Sequence, residues 1–140
     1  MNSEFIIAVH SLVFLTYIPG QMATSETIAE NVCTHPARIR KVMSCLRKNG
    51  FVKTKEGIGG GYILDCNPDE VTLGQVYRAV SCGTLKPGWC SGDSEQACMI
   101  SSNIKHVMDE VFLDAETQLE TYLNGHTVSS ILQRIKHCKE

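Results

Sequence analysis

The chain has 140 residues, 43% of them hydrophobic, and a formal net charge of −2 at neutral pH. This length is enough to bury a core, and the composition excludes a disordered or low-complexity protein. Because the overall charge is close to zero, any affinity for polyanions has to come from a local concentration of positive charge.

The first apolar stretch, residues 5–18, predicts a helix buried against the rest of the domain. It has only 14 residues, is interrupted by His10, Ser11 and Thr16, and follows Glu4 instead of a basic segment. A membrane-spanning helix needs about 20 apolar residues, and a secretory signal begins with basic ones. We therefore expect a cytoplasmic protein with no membrane partner.

Two short helices separated by a tight turn are predicted next, as in a helix–turn–helix unit. Thr24 is a suitable N-cap for a helix over 25–32, and the break at 33–34 is short. Pro36 fits the first turn of the second helix, capped by Thr34 or His35, and Gly50 fits its end.

This second helix has one apolar stripe and, opposite to it, one cationic stripe. Residues 35–62 carry seven lysines and arginines against a single acid, Glu56, for a local charge of +6. The apolar stripe is Ile39, Val42, Met43 and Leu46. The opposite stripe is Ala37, Lys41, Ser44 and Lys48, with Arg38 and Arg40 on its shoulders. Such a face fits the major groove of duplex DNA, although the stripe alone is also typical of a solvated basic helix.

A β-hairpin is predicted after the helix pair, with strands at 51–55 and 62–64. The turn between them contains four glycines, which allow positive φ and close backbone approach. It has neither the lysine nor the hydroxyl residue of a nucleotide-binding P-loop. We interpret it as the wing of a winged helix, with Lys53, Lys55 and Gly59 against the DNA backbone or minor groove.

Three helices are predicted beyond the wing. Thr72 and Gln75 form a capping box for a helix to about residue 80. A long helix with a broad apolar face runs from near Ser102 to residues 124–125, and Thr127 caps a final short helix through Ile135. The expected organisation is a winged helix-turn-helix domain over 1–80, a cysteine-containing sensor loop over 81–101, and a dimerisation helix with the C-terminal helix over 102–140. The fold class is therefore mainly α with a small β-hairpin.

Seven cysteines in a chain without a secretory signal indicate reduced thiols rather than a disulfide framework. Cys33, Cys45 and Cys66 lie in or beside the packed module, and we expect them to be buried. We expect Cys138 to be exposed.

The cysteines of the sensor loop form, with one histidine, an evenly spaced series: Cys82, Cys90, Cys98 and His106. Structural zinc sites normally pair cysteines two to four residues apart, which this series lacks. Four-ligand binding of an iron–sulfur cluster and thiol-based sensing both remain open. For the thiol reaction Cys98 is favoured, because the start of the long helix would lower its pKa, with Cys90 or Cys82 as the resolving thiol.

Three runs of the chain resemble the Rrf-type bacterial regulators, and the resemblance covers nearly the whole chain. The runs are 46–52 (LRKNGFV), 59–64 (GGGYIL) and 73–80 (LGQVYRAV). The resemblance implies a homodimeric winged-helix transcription factor that binds a palindromic operator in double-stranded DNA. The positions that match the family's base-reading residues are His35, Ala37, Arg38, Arg40 and Lys41. Glu56 departs from the iron–sulfur member, which places an arginine there.

The same resemblance implies two kinds of sensor. Cluster-binding members place three cysteines in this loop at tighter spacing, the first about where Cys90 lies, whereas other members keep only a cysteine near Cys98 and hold no known cluster. We therefore expect a DNA-binding repressor, not an enzyme, with no required cofactor. The alternative is a protein that holds an iron–sulfur cluster, or a metal ion bound to Cys90 and Cys98. The competing function is a small redox or metal-handling protein whose cysteine loop is the active site.

Overall fold

The computed structural model describes residues 2–138, and these form six α-helices, one short 3-10 helix (Pro19–Gln21) and one small antiparallel sheet. The helices are α1 (Glu4–Tyr17), α2 (Ser25–Val32), α3 (Pro36–Lys48), α4 (Leu73–Val80), α5 (Met99–Leu123) and α6 (Val128–His137). The strands are β1 (Met22–Ala23), β2 (Val52–Lys55) and β3 (Gly61–Leu64). The mainly helical class predicted from the sequence is confirmed. No helix within residues 2–138 is long and apolar enough to cross a bilayer.

The core is assembled around α1, which packs against α2, α3, α4 and α6. Ala8, Leu12 and Leu15 on this helix are fully buried. Apolar residues on nearly every side of the helix explain why the sequence shows a continuous hydrophobic run here. The predicted burial of the first helix is confirmed.

The helix–turn–helix unit begins and ends where its capping residues indicate. The Thr24 hydroxyl accepts a hydrogen bond from the Thr27 amide, at 3.1 Å, and starts α2. Cys33 ends α2 in the left-handed conformation, with φ of 65°. This conformation turns its side chain into solvent, so the prediction that Cys33 is buried is wrong, while Cys45 and Cys66 are half-buried.

The predicted hairpin is part of a three-stranded sheet in the order β1–β3–β2. Within it Val52 pairs with Leu64 and Lys55 with Gly61, while Ala23 of the added strand pairs with Tyr62. Gly61 permits this addition, because a Cβ at that position would lie 2.6 Å from the Ala23 carbonyl oxygen. Sequence reasoning missed β1 because two residues are too few to show an alternating pattern.

The capping box at Thr72 is confirmed, with α4 beginning at Leu73. The long helix α5 starts at Met99, three residues before the expected Ser102, and its one buried side chain is Leu123. The last helix, α6, ends at His137, two residues later than expected, and packs on α1 with Val128 fully buried. It therefore joins the core of the N-terminal module instead of accompanying α5.

Candidate nucleic-acid interface and cysteine segment

The helix α3 presents to solvent the face that the sequence assigned to DNA. Its apolar stripe is buried, and Ile39, Met43 and Leu46 are fully inaccessible. The residues exposed on the other side are Ala37, Arg38, Arg40, Lys41, Arg47 and Lys48, while Ser44 is half-buried. The helix is thus held by one side and keeps its cations exposed, where they can meet a polyanion.

Several of these cations contact acidic or polar side chains of neighbouring helices. Lys41 Nζ lies 2.8 Å from Glu4 Oε1 at the start of α1, and Arg40 lies 3.8 Å from Glu26 of α2. The guanidinium of Arg38 donates to the Ser3 hydroxyl. Lys41 and Arg40 keep 72% and 52% of their side-chain surface exposed, so these pairs contribute little to stability and can be exchanged for phosphate contacts.

Of the two capping residues that the sequence allows for α3, Thr34 and His35, the structure uses His35. Its Nδ1 accepts a hydrogen bond from the Ala37 amide, at 3.2 Å, and so caps α3. The capping interaction requires an unprotonated Nδ1, which leaves Nε2 as the ring nitrogen able to donate to an external acceptor.

The wing extends its cations and one apolar residue into solvent. Lys53 and Lys55 are exposed, and Lys53 lies 3.8 Å from Asp65. Gly59 is exposed with φ of 77°, as the tight turn requires. Ile58 at the tip is completely exposed, a feature that the sequence analysis overlooked although an isoleucine inside a glycine turn was a sign of it.

The cysteine segment, residues 81–98, joins α4 to α5 and is mostly exposed. Cys98 is the N-cap residue of α5, and the backbone amides of Ser101 and Ile100 lower the pKa of its thiol. The predicted effect of the helix start on Cys98 is therefore confirmed. Cys90 lies in a groove between the segment and α5, lined also by Trp89, Lys105 and Phe112.

Cys82 has different surroundings. It lies beside Glu116 and Glu120 of α5, and burial, followed by these two carboxylates, raises the pKa of its thiol. His106 lies farther along α5, with Nε2 3.2 Å from Glu110. Within residues 2–138, no group of three or more possible metal ligands brings any two of Cys82, Cys90, Cys98 and His106 together. In this arrangement of the described residues, no single metal ion is held by two or more of these four side chains within a group of three ligands.

The outward side of α5 carries apolar side chains that are at least half exposed. Ile100 is 70% exposed, and Val107 and Val111 are each 50% exposed. At about 100° per residue these three lie within one narrow stripe, on the side opposite the residues that pack against α4. We call Ile100, Val107 and Val111 the outer stripe.

Comparisons with known proteins give consistent matches over most of the chain. Residues 1–134 match the family model Rrf2, described as an iron-dependent transcriptional regulator. The HTH-type transcriptional regulator CymR of Bacillus subtilis is 32% identical over 112 residues, which cover 76% of this chain and 78% of the relative. The regulator NsrR of the same organism is 29% identical over 106 residues, covering 74% of this chain and 72% of the relative. A crystal structure described as a candidate transcriptional regulator of Lactobacillus plantarum is 25% identical and superposes with a TM-score of 0.84, covering 98% of this chain and 92% of that one.

Proposed function

Because this chain belongs to the Rrf2 family of iron-dependent transcriptional regulators, we propose that it represses transcription as a homodimer bound to a palindromic operator. It is a DNA-binding regulator rather than an enzyme. Repression is the outcome expected when a dimer occupies DNA that a polymerase must use. Chromosomal DNA as the partner places the protein in the cytoplasm. The competing redox or metal-handling function is not favoured by the relatives.

The observation that carries this proposal is the exposed cationic face of α3, held from behind by its buried stripe. In the proposed complex Arg38 donates to a base edge near the start of the helix, where recognition helices enter the groove. Ala37 contacts a thymine methyl group. Arg40, Lys41, Ser44 and Lys48 line the groove and the flanking phosphates, and His35 uses Nε2 as donor.

The wing supplies the second contact. Lys53 and Lys55 face the DNA backbone, and the tip formed by Ile58 and Gly59 approaches the minor groove. Glu56 at this position would be repelled by phosphates, so we propose that its neighbour Lys55 provides the cation.

Dimerisation through α5 is supported by the outer stripe. A 25-residue helix is about 37 Å long, yet the structure buries only Leu123. Pairing two outer stripes across a two-fold axis would remove this apolar surface from water and set the distance between two recognition helices. Half-sites of a palindrome are one helical turn apart, about 34 Å, which requires such a fixed spacing.

Sensing is proposed to occur at the thiols of Cys98 and Cys90. Cys98 is exposed and has a lowered pKa, the two properties that make a thiol reactive. Its oxidation would change the first turn of α5 and with it the geometry of the dimer. A coupling of about 1–3 kcal/mol would change operator affinity by roughly 5- to 150-fold.

The DNA proposal is tested by selecting bound sequences from a random duplex library and measuring affinity for the selected site. Arg38→Ala should lose about 1–3 kcal/mol and relax sequence preference at one position. Lys48→Ala, the matched control, should weaken binding to all sequences alike. It should also reduce the slope of log affinity against log salt concentration by about one. If both variants select the same sequences as the parent and bind them with the same affinity, α3 is not the helix that binds DNA.

The sensor proposal is tested on the same operator with the oxidant hydrogen peroxide. The parent should lose or gain affinity, and Cys98→Ser should not respond, whereas Cys138→Ser should respond like the parent. If Cys82, Cys90 and Cys98 are all replaced by serine and the response persists, the sensor assignment is wrong. Visible absorption bands in anaerobically purified protein, lost in Cys90→Ser and Cys98→Ser, would instead indicate a cluster.

A further inference from the structure

One group of side chains at the junction of α4, the cysteine segment and α5 has the composition of a metal-binding site. It consists of Cys82, Glu116 and Glu120, whose ligand atoms all lie within 4.8 Å of one another. Within residues 2–138 this is the only group of three or more histidine, cysteine, aspartate or glutamate side chains that meets this condition. It brings together one soft sulfur donor and two hard oxygen donors.

Both carboxylates are held in place by hydrogen bonds that leave oxygens available. Glu116 accepts the Tyr77 hydroxyl, at 3.0 Å, and the Gly83 amide through one oxygen, Oε1. Glu120 Oε2 lies 2.8 Å from Arg78, and only 15% of the Glu120 side chain is exposed. Each glutamate therefore has a second oxygen that can bind an ion without losing these contacts.

The charges of the group are not balanced by the protein. Arg78 pairs with Glu120, whereas Glu116 has no lysine, arginine or histidine within 4 Å in the described part of the chain. Two half-buried carboxylates with one cation leave an excess of negative charge. A divalent cation would remove this imbalance and stabilise the thiolate.

We propose that Cys82, Glu116 and Glu120 bind one divalent first-row transition ion, of the series that includes Fe²⁺, Co²⁺ and Zn²⁺. Binding forms one metal–sulfur and two metal–oxygen bonds, and the Cys82 proton is released to solvent. Water completes a four-coordinate site. Mg²⁺ and Ca²⁺ are disfavoured because they prefer sites made only of oxygen ligands.

The site lies between the helix–turn–helix unit and α5, the proposed dimer helix. The proposed function requires a change in α5 to reach the helix–turn–helix unit. Cys82 follows α4, and α4 packs against α1 and α3, while both glutamates belong to α5. An ion bound here would fasten the helix–turn–helix unit to the proposed dimer helix. This site is separate from Cys90 and Cys98, so metal binding and thiol oxidation act at different places.

The test uses the reduced full-length protein titrated with Co²⁺, whose bonds to thiolate give charge-transfer absorption in the near ultraviolet. We expect one Co²⁺ per chain, a thiolate band, and displacement of Co²⁺ by Zn²⁺ but not by Mg²⁺. Isothermal titration in two buffers of different ionisation enthalpy should detect one proton released per ion.

Matched variants locate the site. Cys82→Ser should lose the band, while Glu116→Gln and Glu120→Gln, which keep an amide oxygen for Tyr77 and Arg78, should each weaken binding by more than about tenfold. The double variant Cys90→Ser/Cys98→Ser should bind Co²⁺ like the parent. No binding by the parent, or a band that survives Cys82→Ser, would overturn the proposal. Loss of the band only in the Cys90/Cys98 variant would place the ion on the loop thiols instead. None of these readouts depends on DNA binding.

Discussion

Replacing Glu4 by glutamine should increase the affinity of this protein for its operator, although residue 4 belongs to a helix outside the helix–turn–helix unit. In the free protein Glu4 holds the Lys41 ammonium at 2.8 Å. DNA binding must exchange this pair for a phosphate or base contact. Glutamine keeps the size of the side chain and removes the charge that competes with DNA.

The size of the effect follows from the exposure of the pair. The Lys41 side chain is 72% exposed and that of Glu4 25%, so solvent screens the attraction and limits it to about 1 kcal/mol or less. Glu4→Gln should therefore lower the free energy of unfolding by no more than this amount. The same amount, recovered on binding, corresponds to a rise in operator affinity of up to roughly fivefold.

Fluorescence anisotropy with a labelled operator at several salt concentrations measures the change. Glu70→Gln is the matched control, because it removes one exposed carboxylate outside the helix–turn–helix unit and the wing. Lys41→Ala should weaken binding, and in the Glu4→Gln/Lys41→Ala double variant the gain should disappear. If Glu4→Gln binds no better than Glu70→Gln, and Lys41→Ala binds like the parent, then Lys41 does not meet DNA and our account of α3 is wrong.

Three other predictions address dimerisation, thiol chemistry and the wing. Val107→Asp should convert the proposed dimer to a monomer in sedimentation velocity, whereas Leu113→Asp, at an exposed position away from the outer stripe, should leave it dimeric. The opposite result would exclude the outer stripe as the dimer interface. The rate of alkylation by iodoacetamide, measured by peptide mapping at a series of pH values, should rise at a lower pH for Cys98 than for Cys82. The reason is that the pKa of Cys98 is lowered and that of Cys82 is raised. Identical pH profiles for the two thiols would contradict this difference. Gly61→Ala should weaken operator binding and lower thermal stability, because its Cβ would lie 2.6 Å from the Ala23 carbonyl oxygen. Gly88→Ala, where a Cβ would have no atom within 4 Å, should change neither property. A Gly61→Ala protein as stable as the parent would mean that β1 can move away from β3 at little cost in free energy.

Local sequence patterns predicted most of the helical architecture. The caps at Thr24 and Thr72, the proline at the start of α3 and the glycine after its end act over only a few residues, so these boundaries are visible in the sequence. The apolar stripe of α3 likewise required its cations to lie on the opposite side. Their exposure followed from helical periodicity alone.

The candidate site was predictable in part. The sequence identified the cationic face, the glycine turn of the wing and the effect of the start of α5 on Cys98. It did not identify the ion pair of Lys41 with Glu4, because those residues are 37 positions apart and meet only when α1 packs on α3. Even spacing of Cys82, Cys90, Cys98 and His106 suggested one ligand set, whereas the path of the segment separates them.

The sequence by itself determined which segments become helices, where α2, α3 and α4 begin and end, and that positive charge gathers on α3. These properties depend on neighbours within one or two helical turns. Only the tertiary structure decided that β1 joins the wing, that α6 returns to α1, and that Cys82 faces Glu116 and Glu120. Each of these is a contact between distant parts of the chain, and it exists because burial of the shared core fixes the relative positions of elements whose own sequences do not specify a partner.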